Sequence, residues 1–224
     1  MPVSSELRRL RRYPIQLPLL HRPKASPSDE RNGGWSRNLS EGGACVELAR
    51  RLQPPMPLHL RLRTDRGIIE AEGKVVWAGE AELAAGGGMP HGVAFTQVAP
   101  DQVQTLRDLL VLWRLIRPSG IRHHCELAVT YQPKGQATPL LQGRTQDMSR
   151  GGLLLRLPRV ESPGTLLDLT VHAPDGPLKA KGAVVWVAPP EGRTPGGPIR
   201  HGLRFTNLPW STTVSLGALL VEPA

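Results

Sequence analysis

The sequence contains two copies of one pattern, separated by about 110 residues. Residues 38–48 (NLSEGGACVEL) return as residues 147–157 (DMSRGGLLLRL), at an offset of 109. The run VVW at 75–77 returns at 184–186, and HGVAF at 91–95 returns, at an offset of 110, as HGLRF at 201–205. Self-similarity at a fixed period indicates one structural unit used twice. We therefore predict two homologous domains, residues 1–116 with a basic N-terminal arm and residues 117–224.

Each repeat has the sequence signature of β-structure. Apolar residues alternate with other residues at Ile15, Leu17 and Leu19, as they do in a half-buried strand. The same alternation runs through 58–62 and 167–171, and the turn sequences DRG (65–67) and PDG (174–176) then lead into the next strands. Segments 22–34 and 1–12 are predicted to be mobile surface segments. Short strands joined by frequent turns favour a small antiparallel barrel in each repeat.

A helix is predicted at the end of each repeat. Pro100 and Asp101 suit a helix start, and apolar residues follow at helical spacing until Trp113. A shorter candidate covers residues 211–221. The predicted fold class is therefore mainly β, with two tandem small antiparallel β-barrels, each followed by a C-terminal helix.

The net charge of +9 indicates an anionic partner. Only five of the 28 basic residues are lysines, and the planar guanidinium of arginine suits phosphates and guanine edges. The preference for arginine over lysine leaves open whether the partner is a polymer or a small nucleotide. A high-GC genome is an alternative explanation for the many arginines. No apolar run is long enough for a spanning helix, so no membrane span is predicted. Two cysteines are too few for a disulfide framework, which favours a cytoplasmic location.

The most informative segments are NLSEGG and DMSRGG, in which an Asx residue, a serine and a glycine occur at spacing 0, 2 and 5. Such a segment favours a tight turn, because glycine permits close backbone approach. Asp or Asn can accept hydrogen bonds from guanine N1–H and N2–H, and the serine hydroxyl and backbone N–H groups can bind phosphate oxygens. The alternative is that the polar side chains only satisfy their own turn.

Both segments resemble the [D/N]-x-Ser-x-x-Gly motif of PilZ domains, small β-barrels that bind the bacterial second messenger cyclic di-GMP. The resemblance covers nearly the whole chain, once in each repeat, and it implies cyclic di-GMP as the ligand. No metal is predicted. The family's second element, Arg-x-x-x-Arg before the first strand, is met by Arg8 and Arg12. The ligand-binding residues that this resemblance implies are Arg8, Arg9, Arg11, Arg12, Asn38, Ser40, Gly42 and Gly43 in the first domain, and Arg117, Arg122, Asp147, Ser149, Arg150, Gly151 and Gly152 in the second.

The arginine element departs from the family pattern in both repeats. Arg12 stands two residues earlier than usual before the apolar strand, because Tyr13 and Pro14 intervene. Arg117 and Arg122 are five residues apart, so the element is degenerate in the second repeat although DMSRGG is intact.

Other candidate sites favour structural roles. His123, His124 and Cys125 do not suit a metal, since neighbouring strand residues point to opposite faces. Ser40 and Ser149 have no neighbouring base, and no nucleophile elbow or phosphate-binding loop occurs, so no enzyme activity is predicted. Trp35 is either a stacking partner for a guanine or a lid over the barrel.

The sequence therefore predicts a non-enzymatic cyclic di-GMP receptor. Ligand contacts to arginines on flexible segments would order those segments, change the arrangement of the domains and signal to a protein partner of unknown identity. One alternative is a ligand-free scaffold for protein–protein contact. A nucleic-acid binder is less favoured, because no recognition helix or stacking sheet is evident.

Overall fold

The computed structural model describes residues 10–25, 32–80, 87–116, 120–135, 139–189 and 196–222. The chain divides into two compact units, Met1–Ile121 and Arg122–Ala224.

The first unit is a closed antiparallel barrel of six strands. The strands are β1 (Pro18–Pro23), β2 (Asn32–Ser40), β3 (Gly43–Leu48), β4 (Pro57–Thr64), β5 (Gly67–Ala78) and β6 (Met89–Val98). Their order around the barrel is β1-β2-β3-β6-β5-β4, and β4 pairs with β1 to close it. A turn of 3-10 helix (Pro100–Gln102) then leads into α1 (Val103–Ile116).

The second unit repeats this architecture. Its strands are β7 (His123–His124), β8 (Ala128–Pro133), β9 (Leu141–Ser149), β10 (Gly152–Leu157), β11 (Leu166–Ala173), β12 (Gly176–Val187) and β13 (Ile199–Asn207), followed by α2 (Trp210–Val221). The ring β8-β9-β10-β13-β12-β11 closes through the pairing of β8 with β11, and the short β7 adds to β9. The predicted fold class, a mainly β chain with two tandem barrels and a helix after each, is thus confirmed.

The alternating apolar residues fill the barrel interiors. Leu58, Leu60 and Leu62 are buried, whereas the residues between them face outward. The apolar face of α1, which includes Leu106, Leu110 and Trp113, belongs to the core of the first barrel. These contacts explain why the helical spacing of apolar residues in α1 correctly predicted a packed helix.

The first strand begins later than the alternation suggests. Ile15 and Leu17 are fully buried, but the β1 ladder starts only at Pro18. The reason is Ser36, whose hydroxyl accepts a hydrogen bond from the Leu17 amide at 2.8 Å and donates one to the Ile15 carbonyl at 2.6 Å. Thr145 does the same between Leu127 and Cys125 in the second barrel. A side-chain hydroxyl thus replaces a rung of the ladder.

The surface segments were only partly predicted. Residues 22–23 belong to β1 and residues 32–34 to β2, so the prediction of a mobile segment over 22–34 is wrong at both ends. The pairing of His21 with Asn32 shows why, because it extends the β1–β2 ladder into this stretch. Residues 26–31 lie outside the described residues, as do residues 1–9 of the predicted arm.

Candidate functional site

The two motif segments form the same hairpin turn in the two barrels. In the first barrel, Ser40 ends β2, Gly43 begins β3, and the two residues pair directly across a two-residue turn. Ser149 and Gly152 do the same between β9 and β10. The serine hydroxyl donates to the carbonyl of its paired glycine, at 3.1 Å for Ser40 and 3.3 Å for Ser149. Part of each serine's hydrogen-bonding capacity therefore fixes the turn itself.

The last glycine of each motif is required by a close approach of the next strand. A Cβ on Gly43 would lie 2.2 Å from the Val93 carbonyl oxygen, and a Cβ on Gly152 would lie 2.0 Å from the Leu203 carbonyl oxygen. No side chain fits at these distances. The carbonyl of the preceding glycine accepts a hydrogen bond from a phenylalanine amide. Phe95 N–H donates to the Gly42 carbonyl, and Phe205 N–H donates to the Gly151 carbonyl.

The second barrel brings an arginine onto the motif. Arg122 precedes β7, which pairs His123 with Met148 and His124 with Asp147. The Arg122 Nε donates to Asp147 Oδ1 at 2.5 Å, and its terminal nitrogen lies 3.5 Å from Ser149 Oγ. The side chain of Arg122 is 43% exposed and that of Asp147 is 24% exposed, so solvent reaches this cluster. An exposed guanidinium and a hydroxyl thus stand side by side at the turn.

The first barrel places Arg12 at the equivalent position. Tyr13 pairs with Leu39 in the first barrel, as His123 pairs with Met148 in the second. The residues just before these pairs, Arg12 and Arg122, therefore correspond, although the arginines of the two repeats are spaced differently. Arg12 forms no ion pair within the described residues. Asn38 is the counterpart of Asp147, and its buried Oδ1 has no hydrogen-bond partner in the described part of the chain.

Nearby charges also mark the position of Arg12. Burial raises the pKa of the Cys45 thiol, and the positive charges of Arg37 and Arg12 oppose that shift. Cys45 pairs with Asn38 across β2 and β3, so the charge of Arg12 acts close to the motif. The Arg11 guanidinium stacks 5.4 Å above the Tyr13 ring. Both cysteines, Cys45 and Cys125, are buried and free.

Leu10 packs on the first motif turn, whereas Gly151 of the second turn has no comparable neighbour among the described residues. A Cβ on Gly42 would lie 2.7 Å from Leu10 Cδ1, whereas nothing lies within 4 Å of such an atom on Gly151. Leu10 is therefore seated on the first turn. Arg8, Arg9 and Arg117, which were also predicted to bind ligand, lie outside the described residues.

Position 41 reveals a residue that the sequence analysis missed. Glu41 in the first turn lies 3.5 Å from Arg107 of α1, measured between Oε2 and Nε. Position 150, its counterpart, is the half-buried Arg150. The opposite charges at 41 and 150 were visible in the sequence, but the partner on α1 is more than sixty residues away and no motif points to it.

The repeated tryptophan and histidine residues support the barrel wall near the motif. The Trp77 indole lies over Gly92 and the Trp186 indole lies over Gly202, at distances that would exclude a Cβ on either glycine. The Nε2 of His91 accepts a hydrogen bond from the Leu52 amide, and the Nε2 of His201 accepts one from the Glu161 amide, each at 3.0 Å. The tryptophans nevertheless remain 41% and 44% exposed, so each barrel presents an aromatic surface that the sequence analysis did not foresee.

Within the described ranges, no group of three or more His, Cys, Asp or Glu side chains is arranged to hold a metal ion. Among those same residues, no helix is both long and apolar enough to cross a membrane.

The comparison with protein families decides what kind of chain this is. The PilZ domain profile matches residues 6–112 and again residues 117–221. The chain belongs to the PilZ family. Both matches include the motif turn and the arginine that precedes the barrel, so each domain of this tandem PilZ protein carries both elements, although only Arg122 is hydrogen-bonded to its motif within the described residues.

Solved PilZ structures are similar to this tandem PilZ chain at low identity. The PilZ domain of CeSA from a cellulose-synthesizing bacterium is 20% identical, covers 46% of this chain and 98% of its own, and gives a TM-score of 0.36. YcgR from Escherichia coli, solved with c-di-GMP, is 11% identical over 91% and 81%, with a TM-score of 0.38. PlzA from Borreliella burgdorferi, also solved with c-di-GMP, is 14% identical over 94% and 89%, with a TM-score of 0.37. No curated protein matches the chain.

Proposed function

We propose that this protein is a cyclic di-GMP receptor that acts by binding and not by catalysis. The observation that carries the proposal is the meeting of Arg122, Asp147 and Ser149 at an exposed turn in a PilZ domain. The proposed ligand-binding groups are these residues with Arg117, Arg150, Gly151 and Gly152. In the first barrel they are Arg8, Arg9, Arg11, Arg12, Asn38, Ser40, Gly42 and Gly43.

The chemistry of these groups suits a guanine dinucleotide. The Asp147 carboxylate accepts two hydrogen bonds, as the N1–H and N2–H edge of guanine requires, while a guanidinium donates to guanine O6 and N7 or to phosphate. In the free protein Arg122 neutralises Asp147. Ligand binding exchanges that ion pair for contacts to the ligand, so the arginine is the group that moves.

The signal follows from where the arginines are attached. Arg12 and Arg122 precede the first barrel strands and lie outside the barrels, whereas the turns are fixed by backbone pairing. Ligand contacts would therefore order the arginine segments and change the arrangement of the domains, which a protein partner in the bacterial cytoplasm reads.

Calorimetric titration with cyclic di-GMP tests the proposal. We expect saturable binding to the unmutated chain, and weakening of about tenfold or more for Arg122→Ala because charge-assisted hydrogen bonds are lost. Arg66→Ala, which removes an exposed arginine that pairs with Asp108, is the matched control and should bind as the unmutated chain does. Absence of heat at tens of micromolar ligand would overturn the proposal.

One observation favours a second role for the first barrel. Leu10 covers Gly42, and Asn38 carries no charge that could draw Arg12 onto the turn. In this second role the first domain is a scaffold for protein–protein contact, and titration then gives one ligand per chain with an affinity that Arg12→Ala leaves unchanged. Two bound ligands, one lost in Arg12→Ala, would rule out that role.

A further inference from the structure

Three arginines lie side by side on the outer face of the second barrel. Arg156 on β10 pairs directly with Arg144 on β9 and with Arg200 on β13. Directly opposed residues of antiparallel strands share one face of the sheet, with their strands about 5 Å apart. We call Arg144, Arg156 and Arg200 the arginine row.

The arginine row is unfavourable for the barrel by itself. Like charges placed directly opposite each other on adjacent strands destabilise a sheet. Arg156 is compensated by Glu126 at 3.5 Å and by the Gln146 amide oxygen at 3.2 Å. Arg144 and Arg200 are exposed and have no ion-pair partner within the described residues. Two positive charges of the row therefore remain available to an anion.

The first barrel has no counterpart of the arginine row. The corresponding cross-strand set is Trp35, Glu47 and Pro90. Trp35 and Glu47 are buried, at 1% and 6% exposure, and the acid takes the place of Arg156. The row is thus no requirement of the fold, because the same architecture is built without it.

The arginine row lies next to the motif on the same face. One step closer to the turn, Asp147, Leu154 and Gly202 form the adjacent cross-strand set. Leu154 and Arg156 are two residues apart on β10, which is about 7 Å along the strand. Arg144 and Arg156 also line an open depression of about 630 Å³, which extends from the row, away from the turn, to Gln142, Thr130 and His172.

From this placement we infer that the ligand surface of the second barrel extends from the motif turn across Leu154 to the arginine row. The row takes a phosphate or the O6/N7 edge of the guanine that the motif does not hold. This inference rests on the proposed function and adds to it residues outside the PilZ motif. It also makes the second barrel the tighter of the two sites, since the first barrel has a carboxylate at the central position.

Calorimetric titration of the full chain with cyclic di-GMP tests the role of the row. The measurements use the Arg12→Ala background, in which the proposed first site is weakened. The test variant is Arg144→Gln/Arg200→Gln, which leaves the contacts of Arg156 intact. The matched control is Lys179→Gln/Lys181→Gln, which removes two exposed charges from β12 of the same barrel.

We expect the arginine pair to weaken binding at least tenfold and the lysine pair less than threefold. Equal weakening in the two variants would show that only the net charge of the barrel matters, and it would overturn the inference. Unchanged affinity in the arginine pair would overturn it as well, while leaving the proposed function standing. No binding by the unmutated chain would overturn both. Circular dichroism of each variant checks that the barrel is folded.

Discussion

At the residue scale, each motif position has a distinct structural task that limits what it can contribute to a ligand. The hydroxyls of Ser40 and Ser149 donate within their own turns, so they can offer a ligand only their acceptor capacity unless the turn rearranges. Gly43 and Gly152 are set by backbone crowding. The exposed and rearrangeable groups are Arg122 and Asp147, which is why ligand selectivity is assigned to them.

Neighbouring glycines of the second motif provide a matched test of this crowding. Gly152→Ala places a methyl group 2.0 Å from the Leu203 carbonyl oxygen and should lower the free energy of unfolding by about 1–3 kcal/mol. Gly151→Ala meets nothing within 4 Å and should change it by less than about 0.5 kcal/mol. Urea unfolding measures both. Equal effects would show that close strand approach is not what requires the glycine.

The buried His21 predicts a pH dependence of stability. Burial, together with the nearby His91, lowers the pKa of His21 from 6.5 to about 4. Between these two pH values His21 is protonated in the unfolded chain but not in the folded chain. The free energy of unfolding therefore falls as the pH drops from 6.5 to 4, and above pH 6.5 the burial of neutral His21 carries no such cost. The loss amounts to roughly 3 kcal/mol at most.

Tyr131 occupies the position of His21 in the second barrel, because both residues pair with the middle leucine of the neighbouring strand. His21→Tyr should therefore remove this part of the pH dependence. Urea unfolding at pH 4.5, 5.5 and 7 measures the slope in both chains. A slope that persists unchanged in the variant would assign the titration to other groups.

At the scale of elements, the spacing of apolar residues correctly predicted the strands and helix α1. Period-two alternation identified the strands because one face of each lies in a barrel, and the 3.6-residue spacing identified α1 because one face packs on the core. The start of β1 was missed because Ser36 is about twenty residues away from the backbone groups it binds. The arginine row was missed for the same reason, since cross-strand pairing brings together positions 144, 156 and 200.

Helix α1 allows a test of its packed face with adjacent residues. Leu110 is 6% exposed and belongs to the core of the first barrel, whereas Val111 is 55% exposed. Leu110→Ala should cost about 2–5 kcal/mol of unfolding free energy, and Val111→Ala less than about 0.5 kcal/mol. Urea unfolding of the two variants decides whether α1 is an integral part of the barrel core, and similar costs would contradict it.

At the scale of the whole molecule, one architecture occurs twice with different surfaces. The turns, the tryptophan–glycine contacts and the histidine hydrogen bonds are repeated. The charges are not: Asn38 corresponds to Asp147, Glu41 to Arg150, and Glu47 to Arg156. The repeated features are those that both barrels share, and the proposed difference in binding between the two domains rests on the differing charges.

This asymmetry predicts a difference in salt dependence between the domains. Binding that relies on Arg122 and the arginine row should weaken more between 0.05 and 0.3 M salt than binding by the first barrel. Titrations of Arg12→Ala and Arg122→Ala chains isolate the two sites, and the former should show the steeper loss. Parallel salt dependences would contradict the asymmetry.

Backbone NMR of the full chain during titration with cyclic di-GMP locates the ligand most directly. We expect the largest amide shifts on residues 120–124 and 147–156 and smaller ones at 38–43, while β12 residues 178–182 stay unchanged. Shifts confined to β12 and α2, with none at either turn, would contradict the claim that the motif turns and their arginines form the binding site.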